Sequence, residues 1–139
     1  MQIEDNVTIM AAKEKVWGVL SDVERWHEWT PSISEIRRLD DTPFALGSRV
    51  RVRQPRLPEA EWRVSDFQPA RGFVWVTHSP GVHSVAEHWI SETGASQCRV
   101  SLRLKQTGIV SALLSPFYSG LARRYVHMEA VGLKNRCER

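Results

Sequence analysis

The hydrophobic period of this chain changes at Gly108, and no other feature restricts its fold as much. Between Ile33 and Lys105, apolar and polar residues alternate in short runs separated by turn residues. From Gly108 to the C-terminus, apolar residues recur at helical spacing. The run Ser48 to Gln54 is the clearest strand: Val50, Val52 and Gln54 fall on one face and Arg49, Arg51 and Arg53 on the other. Pro55 and Pro58 stop it. Glu61 to Ser65, Phe73 to Thr77, Val82 to Ile90 and Gln97 to Lys105 follow as further strands, with turns at Pro69–Gly72, Pro80–Gly81 and Thr93–Gly94. In the last of them Cys98, Val100, Leu102 and Leu104 face inward.

Ahead of this meander, Ile3, Val7 and Ile9 alternate with polar neighbours as a half-buried strand. Lys13 to Leu20 then carries Val16, Trp17 and Leu20 at helical spacing, Asp22 caps a second short turn through Trp26, and Pro31 ends the region. The C-terminal helix starts either at Ser115–Pro116, with Pro at its first position, or near Ile109 with Pro116 inside it. At 100° per residue Phe117, Leu121, Tyr125, Met128, Val131 and Gly132 share one face, with Arg124 at its edge and Gly120 nearby. Ala122, Val126, Ala130 and Leu133 form a second apolar ridge on the far side, available to a homodimer or to the short helices.

One strand, two short helices, six strands and one long helix make an α+β chain, expected as a single domain over residues 1–139. Strands joined by short turns become antiparallel neighbours, and the first strand must join the same sheet to hide its apolar face. A strongly curved seven-stranded antiparallel sheet around the long helix satisfies both requirements. A curved sheet and a straight helix diverge at one end, which leaves a hollow for large side chains or a ligand.

Composition narrows the function. The net charge of +3 is small and spread along the chain. The arginines at 49, 51, 53, 63, 99 and 103 lie on the wet sheet face with no interleaved aromatic platform, so no nucleic-acid partner is expected. No apolar run approaches the roughly 20 residues that span a bilayer. The start Met1-Gln2-Ile3-Glu4 does not resemble a secretion signal, so a cytoplasmic protein is expected, with Cys98 and Cys137 as free thiols and Asn6-Val7-Thr8 an accidental glycosylation match. Nucleotide-binding, nucleophile-elbow and zinc-protease motifs are missing, and no cofactor is expected. His78, His83 and His88 recur every five residues across the Pro80–Gly81 turn. That spacing is expected to scatter them over both faces, so no metal site is expected.

Several segments carry a family resemblance. Val16 to Pro31 resembles the opening of the polyketide cyclase/dehydrase-type branch of the START/Bet v 1-like (SRPBCC) superfamily. Gly47, Trp62-Arg63-Val64, Phe73-Val74-Trp75, Ala86-Glu87-His88, the Val100–Leu104 strand and Gly132-Leu133-Lys134 resemble it at matching intervals. The resemblance implies the helix-grip fold with a deep apolar cavity between sheet and C-terminal helix. It also turns His88 inward with Ala86.

The expected ligand-binding residues are Trp26 and Trp29 at the cavity mouth, Gln54, Trp62, Trp75 and His88 on the sheet, and Phe117, Leu121, Tyr125 and Met128 on the helix. Four of the six tryptophans thus border one cavity. The leading function is binding or carriage of a hydrophobic small molecule, aromatic polyketide-like or lipid/acyl in kind. The alternative is a cyclase or dehydratase in the same pocket, with His88 as acid/base and Tyr125 or Arg124 stabilising an enolate. The two readings separate on one observation: an enzyme needs a second polar group beside His88 at the same point of the cavity.

Overall fold

The computed structural model describes residues 1–139. Its elements run β1 (Gln2–Ile9), α1 (Lys13–Ser21), a 3-10 helix (Val23–Glu28), β2 (Glu35–Arg38), β3 (Arg49–Arg53), β4 (Ala60–Gln68), β5 (Gly72–Ser79), β6 (Val82–Gly94), β7 (Gln97–Thr107) and α2 (Ile109–Cys137). All seven strands form one antiparallel sheet in the order β1-β7-β6-β5-β4-β3-β2. With α2 laid over it, this is the helix-grip arrangement.

Strand parity places the core as alternation requires. Val50, Val52, Val64, Phe73, Trp75, Cys98, Val100 and Leu102 are all buried on the face toward α2. In β4 a bulge between Val64 and Asp66 inserts one residue, so Val64 opposes Trp75 and Phe67 opposes Phe73 on the same face. The bulge lets Phe67 reach Phe44 and Trp17, with ring centroids 5.7 and 5.5 Å away. On the outer face the arginines are compensated: Arg49 pairs with Glu61, Arg51 with Glu59, Arg53 with Glu35 and Glu59, and Arg103 with Glu4 and Glu87.

β1 joins the sheet beside β7, from Gln2 opposite Lys105 to Ile9 opposite Cys98. The end of α2 is stapled to the same seam, where Lys134 donates to the Thr8 carbonyl at 2.8 Å and the Met10 N–H donates to Glu138 at 2.7 Å.

Several local expectations are corrected. Asp22 precedes the 3-10 helix but caps nothing with its side chain, and ion-pairs with Arg25 instead. α2 begins at Ile109 with Pro116 inside it, the second of the two starts the sequence allowed. Its inward face is the ridge assigned to the far side: Ala122, Ala130 and Leu133 are buried and Val126 packs on the core. Phe117, expected inside, is 83% exposed, and Arg124 points to solvent. Leu121 and Met128 are only half-buried. Gly120 meets nothing, whereas Gly132 lies where an added Cβ would overlap the Trp29 carbonyl. Small residues face inward because this helix must approach the backbone after the 3-10 helix closely. A ranking by side-chain size therefore picks the wrong face. Ile109, Leu113 and Phe117 are left as an exposed stripe on its first turns.

Candidate ligand cavity

Between the sheet and the middle of α2 lies a cavity of about 130 Å³. The sheet wall includes Val52, Trp62, Trp75, Ala86, His88, Leu102 and Leu104; α2 supplies Tyr118, Ala122, Tyr125, Val126 and Glu129. Trp26 and Ile33 come from the region after α1, and Gln54 and Leu57 from the segment that leaves β3. The helical positions 118, 122, 125, 126 and 129 are i, i+4, i+7, i+8 and i+11, one face of a helix.

Trp26, Gln54, Trp62, Trp75, His88 and Tyr125 all line the cavity, but Trp26, expected at its mouth, is instead fully buried in its wall. Phe117, Leu121, Met128 and Arg124 do not line it, since the helix is turned as described above. Trp29 does not line it either: it is buried behind Trp26, 5.4 Å away between ring centroids, with its edge against Gly132. Three of the six tryptophans, not four, border the cavity. Trp17 packs on Phe67, and the Trp89 indole N–H donates to Glu87.

The aromatic wall is rigid. Trp26 donates its indole N–H to the Leu20 carbonyl at 3.0 Å, which fixes its ring in the middle of a cluster. Ring centroids of Trp75, His88 and Phe73 stand 5.2, 5.4 and 6.1 Å from it, in tilted or edge-on contacts. The Tyr125 hydroxyl donates to the Pro55 carbonyl, tying α2 to the segment after β3. It is therefore already engaged and does not point a free donor at the cavity.

His88 is the polar centre of the wall. It stacks on Phe73 with centroids 4.4 Å apart, and its side chain is 4% exposed. Its Nδ1 lies 3.2 Å from the carbonyl of Phe73, its cross-strand partner; a carbonyl only accepts, so Nδ1 carries the proton. That leaves Nε2 directed at Glu129, whose Oε1 is 3.5 Å away. Glu129 is the residue sequence reasoning missed. A carboxylate on the helix looks like a solvated charge, yet it sits i+4 from Tyr125, and that spacing was the available signal.

His78 and His83 correct a second expectation. The hairpin closes at Ser79 opposite Val82, so residues five apart across the turn are direct partners on one face. The two imidazoles stand Nδ1 to Nδ1 at 2.8 Å, on the outer side of the sheet and away from the cavity.

The two thiols are inert by environment. Burial pushes the Cys137 thiol up to about 11 and raises Cys98 as well, and neither forms a disulfide.

The family described as "Polyketide cyclase / dehydrase and lipid transport" matches residues 1–138. The chain belongs to that family. Among solved structures, this family member is similar to the Zhui aromatase/cyclase from Streptomyces sp. R1128, with TM-score 0.83 and 18% identity, over 100% of this chain and 94% of that one. A START superfamily protein from Mycobacterium smegmatis gives TM-score 0.78 at 16% identity, over 99% and 97% of the two chains. A hypothetical protein from Helicobacter pylori gives 0.84 at 14%, over 100% and 88%. At such identities the likeness is one of fold. No curated protein matches the sequence. No helix is long and apolar enough to cross a membrane.

Proposed function

We propose that the cavity binds one small, mostly apolar molecule and holds its polar group against the His88–Glu129 pair. A partly open, aromatic-walled cavity with one polar corner carries this reading. Size narrows the ligand. A cavity of about 150 Å³ accommodates benzene, so about 130 Å³ suits a single ring or a short acyl chain. A fused polyketide or a long lipid exceeds that volume and would have to extend through the open side of the cavity or lift α2 from the sheet. Each desolvated methylene contributes about 0.8 kcal/mol, and the polar corner sets orientation.

One observation favours turnover as a second reading. His88 has the second polar group that acid–base chemistry needs: Nδ1–H is fixed on the Phe73 carbonyl, Nε2 faces the cavity, and the Glu129 carboxylate stands beside it. In that role Nε2 accepts a proton from the bound molecule, and Glu129 stabilises the imidazolium formed. Tyr125 and Arg124 take no part, the first being bonded to Pro55 and the second pointing to solvent.

Native mass spectrometry and thermal-shift measurements with phenol, indole and C4–C8 acyl compounds test binding. Saturable binding that is lost on filling the cavity is expected; no stabilisation by any compound overturns the reading. Turnover is tested by deuterium exchange at carbon next to the carbonyl of a bound ketone. Exchange above the buffer rate that disappears in His88→Leu supports chemistry, whereas exchange at the buffer rate assigns the protein to carriage.

A further inference from the structure

The tip of the β5–β6 hairpin carries a feature that the cavity does not use. His78 and His83 face each other with Nδ1 atoms 2.8 Å apart, ring centroids 4.1 Å apart and ring planes tilted by 36°. His78 is exposed and His83 half-buried, so both rings have access to solvent. The turn beneath them is held in place. The Gly81 carbonyl accepts from the N–H groups of Val110 and Ser111, at 3.0 and 3.3 Å, which anchors the hairpin to the first turn of α2. Gly81 itself has φ +76°, a conformation in which a side chain would be strained, and an added Cβ would overlap Val110. The imidazoles are thus preorganised by strand register and by an anchored turn rather than by chance rotamers.

We propose that His78 and His83 form a chelating site for a divalent transition-metal ion, with Cu²⁺ bound most tightly, as the affinity order of divalent ions for imidazole ligands requires. With metal–nitrogen bonds of about 2.0–2.1 Å, two neighbouring ligands of one ion have nitrogens about 2.8–3.4 Å apart. The hydrogen-bonded imidazoles already stand 2.8 Å apart, so a small rotation of the rings converts the pair into a chelate. In the metal-free pair one Nδ1–H donates to the other Nδ1. On binding, that proton moves to the Nε2 of the same ring through solvent, so the neutral pair takes up the ion with no net release of protons. Water completes the coordination plane. Residues 77–84 contain no carboxylate, and the nearest fixed charges by register are two cations, Arg63 opposite Val76 on one side and Lys105 opposite Val85 on the other. Affinity therefore comes from the two imidazoles and water, with no carboxylate to add to it.

The test uses the untagged chain with Cu²⁺, Ni²⁺ and Zn²⁺ salts as probes at pH 7.5. Expected are one Cu²⁺ per chain with nitrogen splittings from two equatorial imidazoles in its paramagnetic resonance spectrum, and Cu²⁺ bound more tightly than Zn²⁺. His78→Gln and His83→Gln should each weaken binding by about tenfold or more, because a chelate becomes a single contact. His127→Gln, which removes the exposed imidazole paired with Asp5, should leave it unchanged. As a readout that needs no variant, Cu²⁺ should broaden amide resonances of residues 77–84 first in the wild-type chain. Binding unaffected by either hairpin substitution, broadening centred elsewhere, or Zn²⁺ bound more tightly than Cu²⁺ would each overturn the proposal.

Discussion

Replacing Gly132 by Ala and Gly120 by Ala in the same helix should move stability in opposite directions. In an exposed helix interior Gly→Ala is worth about 0.8–1.0 kcal/mol in favour of the helix. Gly120 is exposed and its added methyl meets nothing within 4 Å, so Gly120→Ala should realise that gain in full. At Gly132 the methyl overlaps the Trp29 carbonyl oxygen and stands 3.0 Å from its carbon and 3.2 Å from its ring Cε3. Trp29 cannot yield easily, because it is buried against Trp26, which is locked by its bond to Leu20. Relief requires α2 to withdraw from the 3-10 region, and overpacking of this kind costs about 1–3 kcal/mol. Because the clash is with backbone, the upper end applies; after the helical gain the net loss is about 2 kcal/mol. With about 2.1 cal/mol/K of unfolding entropy per residue, 139 residues give about 290 cal/mol/K, so each kcal/mol shifts Tm by about 3–4 °C. Calorimetry should therefore show Gly132→Ala about 7 °C below wild type and Gly120→Ala about 3 °C above it. If Gly132→Ala instead rises in step with Gly120→Ala, the close approach of α2 to Trp29 does not exist, and the inward face assigned to the helix falls with it.

Two further outcomes follow from the cavity and the thiols. Ala122→Leu places three extra carbons in the cavity from the helix side; it should abolish binding of ring-sized ligands while leaving Tm within a few degrees, and unchanged affinity would put the site elsewhere. Cys137 has a folded value of about 11 against a reference of 9.0, so the native state holds its proton more tightly than the unfolded chain. Its contribution to stability should be constant below about pH 9 and be lost between about pH 9 and 11. Cys137→Ala should flatten that fall in urea titrations, whereas an identical alkaline slope in the variant would show that another group causes it.

The sheet was readable from sequence because a strand offers one binary choice, and arginine at 49, 51, 53, 99 and 103 made the choice unambiguous. The six expected strands after the first appear, and the inward sets of β3 and β7 are the ones alternation names; β5, apolar on both faces, left its parity open. The Ser65 bulge was not readable, since one inserted residue leaves no compositional trace. α2 was the harder element. Large apolar residues occupy its solvent side at 109, 113 and 117, while the inward ridge is made of Ala122, Val126, Ala130 and Leu133 with Glu129 among them. A helix chosen for close approach and for a polar corner in a cavity carries its signal in small and charged residues, where size and hydropathy do not look. Of the site, the strand-borne members and Tyr125 were legible; Glu129 was hidden by its charge, and Trp29 by the depth of the 3-10 region.

The seam between β1 and β7 has a consequence for biosynthesis. β1 is complete at Ile9, but its partner begins at Gln97, and the α2 end that staples the seam comes after residue 130. At about 5–20 residues per second of translation, the first strand waits on the order of 5–20 seconds with Ile3, Val7 and Ile9 unburied. Neither the sheet nor the cavity can close until nearly the whole chain has left the ribosome. A nascent chain stalled before Gln97 is therefore expected to hold an apolar N-terminus open to chaperones, and ligand added during synthesis should protect only the finished chain.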